Sequence, residues 1–281
     1  MVHAVPNCGF ARAYVVSGKD GLMVIDAGSA GTAEDLSAFI KSQPGMSTDM
    51  VKYITATHFH VDHIGGIGPF LAECPATTKV MFHSLVRSYL AGEKRISLVR
   101  GWNIGLIPAA ILSLRNVKKI SHCCFKGLAG IPLPGIRLLV HVPYEEERIG
   151  YFGYPEAKTE TAFSERRKED PDAKEGPFLS EFKRYRLGFD QWEVIETPGH
   201  TEDSISLFDL ESEALLCGDL IVNMGRKGSG KLNPFCWDKK TAAQTYEFLC
   251  STLSPKTIYP GHGEVIQDRD NALLKVKPFR N

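Results

Sequence analysis

Four imidazole or carboxylate side chains fall within six residues in the string Thr57-His58-Phe59-His60-Val61-Asp62-His63-Ile64-Gly65-Gly66. The stretch before them, Met50 to Thr57, is apolar and β-branched and reads as a strand, so the cluster sits where that strand stops. In an extended chain, residues two apart point to the same side. His58 and His60 therefore converge on one point, while Asp62 and His63 come after the chain turns and can face a second. Burying four such groups with nothing between them leaves polar atoms to satisfy one another, which is costly. A bound cation removes that cost, and imidazole nitrogen with carboxylate oxygen suits zinc, iron or manganese. Whatever fold the chain adopts has to end a strand at this cluster.

Three later pieces share one form, a ligand-type residue in a glycine-containing turn after a β-like stretch: Pro198-Gly199-His200, Gly218-Asp219 and Pro260-Gly261-His262. Each is weak alone. Their number and order, taken with His58 to His63, make a seven-residue ligand set: His58, His60, Asp62, His63, His200, Asp219 and His262.

The elements around these pieces alternate between strand and helix. Ala13 to Ser17 and Leu22 to Ile25 read as a hairpin joined by Gly18-Lys19-Asp20-Gly21, and Thr32 to Ser42 as an amphipathic helix with Leu36, Phe39 and Ile40 on one face. Val80 to Phe82 is a short strand. After a long interruption, β signals resume at Trp192 to Glu196, Ser204 to Asp209 and Ala214 to Cys217. A helix over Lys239 to Thr252 and a strand over Thr257 to Tyr259 finish the pattern, leaving only a short tail after His262. The alternation suggests two similar halves, each a sheet with helices on its outer side, although no direct sequence repeat supports the symmetry.

With these residues in place the chain resembles the metallo-β-lactamase superfamily, whose signature is HxHxDH, then a histidine, a bridging aspartate and a final histidine. The resemblance spans residues 1–82 and 188–281 approximately and fills all seven positions. It implies an α/β fold, an αββα sandwich, formed as a single domain over 1–281. It also implies that His58, His60 and His200 bind one ion, that Asp62, His63 and His262 bind the other, and that Asp219 bridges the two. Asp26, in Ile25-Asp26-Ala27-Gly28, matches a family position that supports the ligands. The expected cofactors are two divalent transition-metal ions, zinc first, with iron or manganese as alternatives. Water held between two dications loses a proton near neutral pH and attacks, while one ion polarises a carbonyl or phosphoryl oxygen. Asp62 or a water on the metal then protonates the leaving group, which makes Asp62 and Asp219 the expected catalytic residues.

Within the superfamily, His60 argues against the flavodiiron branch, which has a glutamate there. Thr197 to Ser206 and Gly218-Asp219-Leu220-Ile221 look most like the glyoxalase II group of thiolester hydrolases, and Arg226 and Lys227 lie where that group has basic residues. The C-terminal helical domain of that group is missing, and Val222 replaces the tyrosine that acyl homoserine lactonases carry. The expected activity is hydrolysis of an ester-like bond, a thiolester or lactone, in a small molecule. A mononuclear-iron persulfide dioxygenase and a phosphodiesterase are the alternatives.

Residues 83–187 interrupt the alternation and are expected to form an inserted, partly helical cap. Leu85 to Leu114 is helical and apolar, and Trp102 to Leu114 either lines a pocket for an acyl chain or packs on the domain or a second subunit in a homodimer. Tyr144 to Pro177 is crowded with charge, Gly and Pro and reads as a loop or lid.

Lysine plus arginine equals aspartate plus glutamate at 33 each, so no general positive field gathers nucleic acid. Seven scattered cysteines without a CxxC pair suit a reducing cytosol. The first residues carry no charged and apolar leader, and Gly101 to Leu114, broken by Pro108, falls short of the roughly 20 residues that span a bilayer. The chain is expected to be cytoplasmic, with no membrane span.

Overall fold

The computed structural model describes residues 1–6, 8–28, 31–91, 93–94, 148–152, 182–225 and 229–279. The chain divides into two compact units, Met1–Tyr151 and Phe152–Asn281. Most of the segment expected as a cap, with Trp102 to Leu114, Cys123, Cys124 and the greater part of Tyr144 to Pro177, lies outside the described residues, as do Arg226 and Lys227.

The first unit is built on a six-stranded mixed sheet in the order β1-β2-β3-β4-β5-β6. Its strands are β1 (Val2–Val5), β2 (Ala13–Gly18), β3 (Gly21–Ile25), β4 (Val51–Thr55), β5 (Lys79–His83) and β6 (Ile149–Phe152). β1, β2 and β3 pair antiparallel, with Gly18 opposite Gly21 closing the expected hairpin, and β3, β4 and β5 pair parallel. All five residues of β3 are buried, so this strand reads as a continuous apolar run rather than an alternation. Helix α1 (Ala33–Ser42) buries Leu36 and Ile40, with Phe39 packed beside them in the same core, and it carries Glu34 and Asp35 in its first turn and Lys41 in its last. Those charges oppose the helix dipole at each end and favour the helix. Helices α2 (Val61–Ile64), α3 (Ile67–Leu71) and α4 (Leu85–Ala91) follow the strand ends.

Strand β6 falls inside the charged stretch expected as a lid. Arg148 ties it down by donating to the carbonyls of Thr78 (3.1 Å) and Pro75 (2.7 Å). Ile149 and Tyr151 also pack against the first core, but four residues are too few for their alternation to stand out in the sequence.

The second unit carries a six-stranded sheet in the order β14-β13-β10-β9-β8-β7. These are β7 (Arg184–Arg186), β8 (Trp192–Glu196), β9 (Ile205–Asp209), β10 (Ala214–Gly218), β13 (Thr257–Pro260) and β14 (Ile266–Gln267). Only β10 and β13 run parallel. A two-stranded ribbon, β11 (Ile221–Val222) and β12 (Lys231–Leu232), follows β10. Helix α5 (Lys239–Thr252) spans the expected residues, started by Asp238, whose carboxylate accepts from the Thr241 N–H at 2.6 Å. The chain after His262 is more than a tail. Ile266, Ala272, Leu273 and Val276 are buried in the core with Leu249 and Phe248 of α5. No described helix is long and apolar enough to cross a membrane.

Candidate metal centre

The first unit delivers four of the seven expected ligands around Asp26. β3 and β4 end side by side, and the Asp26 N–H donates to the Thr55 carbonyl at 2.8 Å. Asp26 then adopts a left-handed backbone, φ 55°, which aspartate tolerates better than most residues. Its buried carboxylate accepts from the Thr57 N–H (2.7 Å), from the Thr57 hydroxyl (2.9 Å) and from His63 Nδ1 (2.8 Å). The Ala27 N–H closes the same turn on the His63 carbonyl at 2.8 Å. One carboxylate thus fixes the strand end, the start of the histidine string and the ring of its last member.

That network sets proton positions. His63 gives its Nδ1 proton to a carboxylate, so its Nε2 keeps the lone pair. The Thr57 hydroxyl spends its proton on Asp26, so it accepts from His58 Nδ1 at 3.2 Å, again leaving Nε2 as the lone-pair atom. His58 Nε2 lies 2.9 Å from His60 Nδ1, as expected from their spacing of two. Either the His60 Nδ1–H donates to that His58 lone pair or a cation is shared between the two nitrogens. After the turn, which the His63 and Ile64 amides make by donating to the His60 carbonyl, Asp62 Oδ2 comes 3.9 Å from His63 Nε2. Ligand atoms of His58 and His60, of His58 and His63, and of Asp62 and His63 are pairwise within 4.8 Å.

The second unit presents the other three ligands at strand ends. His200 follows β8 through Gly199, whose φ of +143° suits glycine. A Cβ there would lie 2.4 Å from Ala242 Cα in α5, so glycine also lets the loop touch the helix. His200 Nδ1 donates to the Phe235 carbonyl at 2.7 Å, which makes its Nε2 the lone-pair atom. The carbonyl is aimed by Asn233, whose Oδ1 accepts from the Phe235 N–H at 3.0 Å. Asp219 follows β10, and its Oδ2 lies 3.5 Å from His200 Nε2 and 3.1 Å from His262 Nε2. Asn223 steadies the His262 turn: its N–H donates to the His262 carbonyl (3.0 Å) and its side-chain amide to the Glu264 carbonyl (2.8 Å). Gly263, with φ +94°, lies so close to Asn223 that an added Cβ would be 2.0 Å from the Asn223 carbonyl oxygen.

Each seven-set residue therefore stands at a strand end or in the turn after it, and each unit gathers its own members. Sequence reading missed Thr57, Asn223 and Asn233. Thr57 adjoins the histidine string and Asn233-Pro234 is a turn signal, so both had a local cue; Asn223 had none. Cys217, next to the Gly218-Asp219 turn, is fully buried, and burial pushes its thiol well above the ordinary range. It stays protonated at neutral pH.

The model of the metallo-beta-lactamase superfamily matches residues 6–100 and 126–262. The chain belongs to that superfamily and has its α/β fold. It is 24% identical over 259 residues to a probable metallo-hydrolase, YqjP, of Bacillus subtilis, which covers 90% of this chain and 67% of that one. A hydroxyacylglutathione hydrolase of Francisella tularensis subsp. novicida is 36% identical over 77 residues, 27% of this chain and 28% of that protein. Among solved structures, an archaeal metallo-beta-lactamase superfamily protein from Sulfolobus tokodaii superposes with a TM-score of 0.51 at 17% identity, over 95% of this chain and 81% of the other.

Proposed function

We propose that this chain is a metal-dependent hydrolase of an ester-like bond, a thiolester or lactone, in a small molecule, working with two divalent transition-metal ions. The observation that carries the reading is the tautomer control. Buried His63 and His200 each give their Nδ1 proton to a fixed acceptor, Asp26 or the Phe235 carbonyl, and so offer Nε2 to a cation. The donor set fits such ions: five imidazoles and two carboxylates. His58, His60 and His200 would hold one ion, Asp62, His63 and His262 the other, and Asp219 both. Joining the ligands of the two units is part of this proposal.

Ions so held supply a water that ionises near neutral pH and a Lewis acid for the carbonyl oxygen. The chain's own part is to orient and to move protons. Asp219, whose Oδ2 lies near both His200 Nε2 and His262 Nε2, would offer one carboxylate to both ions. Asp62 keeps a quarter of its side chain in solvent while His63 beside it has none, so Asp62 can exchange protons with water and carry one to the leaving group. No serine or cysteine nucleophile is needed, and buried Cys217 is in no state to serve as one. The name of the Francisella relative supports the thiolester side of the reading.

Metal analysis followed by turnover on a panel of thiolesters, lactones and phosphodiesters tests this. Faster turnover of an acyl substrate than of bis(p-nitrophenyl) phosphate is expected. One iron per chain with oxygen-dependent turnover, or a phosphodiester cleaved fastest, overturns it.

A further inference from the structure

The histidine string is held at both ends by hydrogen bonds: Thr57 by the Asp26 carboxylate, and the His60 carbonyl by the His63 and Ile64 amides. Between those anchors stands Phe59, bonded on either side to a candidate ligand, and it is held by packing. It is 2% exposed and belongs to the core of the first unit, whereas His58 and His60 face each other with ring centroids 4.4 Å apart. The Phe59 ring meets Phe82 edge-on (centroids 5.6 Å, interplanar angle 84°) and Tyr89 at a tilt (6.1 Å, 43°), and both partners are buried too. Edge-to-face contacts fix a ring's orientation as well as its depth. The socket itself is built without the string. Phe82 lies in β5, which pairs with β4 and accepts the Thr55 hydroxyl at the Met81 carbonyl (2.8 Å). Tyr89 lies in α4, whose start is joined to the end of β5 where the Leu85 N–H donates to His83 Nδ1 at 3.1 Å.

We propose that Phe59 is the positioning residue of the His58–His60 pair: its ring, packed on Phe82 and Tyr89, sets where the two imidazoles that would share one ion can reach. The inference rests on the two-ion part of the proposed function and deepens it. A ring seated in a fixed socket fixes the backbone of its own residue, and the imidazoles on either side inherit that position. Functional groups of this kind work only when held to within about half an ångström by side chains that packing locks in place. His63 is placed by other means, through its Nδ1 contact with Asp26. Loss of the Phe59 ring therefore falls on the ion assigned to His58, His60 and His200, and spares the ion assigned to Asp62, His63 and His262.

Competition for zinc between the full-length protein and a chelator reads this without requiring turnover. Wild-type protein should bind in two steps. Phe59→Ala should weaken one step roughly 10- to 100-fold, the range for lost supporting groups, and leave the other close to its wild-type value. Cobalt(II) in place of zinc identifies the weakened step: at one ion per chain, the absorption spectrum of Phe59→Ala should match that of His60→Ala and differ from that of Asp62→Ala. Phe59→Leu, which refills much of the socket, should recover part of the loss. Leu36→Ala, a cavity in the same core away from the string, should lower Tm comparably and keep both affinities. Tyr89→Ala removes one wall of the socket and should weaken the same step, which carries the test if Phe59→Ala does not fold. Both steps unchanged, or both lowered alike, in the Phe59 and Tyr89 variants overturns the proposal, and so does the same selective loss in Leu36→Ala. Failure of the two-ion reading looks different: a single binding step in the wild-type protein.

Discussion

Asp26 holds three donors in a backbone conformation that few residues adopt, and its loss should be felt in two ways. Asp26→Ala leaves the Thr57 N–H and His63 Nδ1 without their buried acceptor, at a cost of about 2–3 kcal/mol in stability. It also frees His63 to turn or change tautomer, and metal affinity should fall roughly 10- to 100-fold, the range for lost supporting partners. Thermal unfolding and chelator competition measure the two effects. Asn233 gives a cleaner case. Asn233→Ala removes the acceptor that aims the Phe235 carbonyl and should weaken metal binding by about tenfold. Asn233→Asp keeps that acceptor and should recover most of it, whereas a merely space-filling role for Asn233 predicts no such rescue. Asp219→Ala should cost nearly all turnover with the circular dichroism unchanged. His83, whose Nδ1 accepts from the Leu85 N–H at the end of β5, is by contrast outside the ligand set, and His83→Ala should stay within a few-fold of wild-type activity.

The elements that were legible in the sequence are those whose burial is periodic or complete. The β2–β3 hairpin, α1, β8 and α5 stand within a residue or two of their expected ends because each has an apolar run or face bounded by a turn or cap. β1, a four-residue strand containing exposed Ala4, offered no such run. β6 and β14 pair at sheet edges, where two to four residues and neighbouring contacts decide the outcome. The candidate ligands stood out because four of them are crowded into one string. Their supports were not, since Asn223 and Asn233 act through backbone groups that no spacing reveals. The turn before His200 allows an element-scale test. Gly199→Ala forces a Cβ against the backbone of Ala242 at a positive φ, and should destabilise the protein by at least about 2 kcal/mol in denaturant unfolding. Retained stability would mean that the loop and α5 do not pack as described.

At the scale of the whole molecule, acidic and basic residues are equal in number and the formal net charge is zero. The buried thiols report on integrity. Burial raises Cys8 to about 12 and Cys217 higher still, so both should resist alkylation at pH 8 in the native protein and react in denaturant. Ions that bind only the folded chain stabilise it by mass action, about 2.7 kcal/mol when free metal is a hundredfold above Kd. Removing metal with a chelator should therefore lower Tm by several degrees, and zinc should restore it. The central proposal, two transition-metal ions held by His58, His60, Asp62, His63, His200, Asp219 and His262, is tested most directly by elemental analysis of protein purified without chelator. The account predicts close to two transition-metal ions per chain, falling sharply in Asp219→Ala. A reproducible value of one or none in the wild-type protein would contradict it.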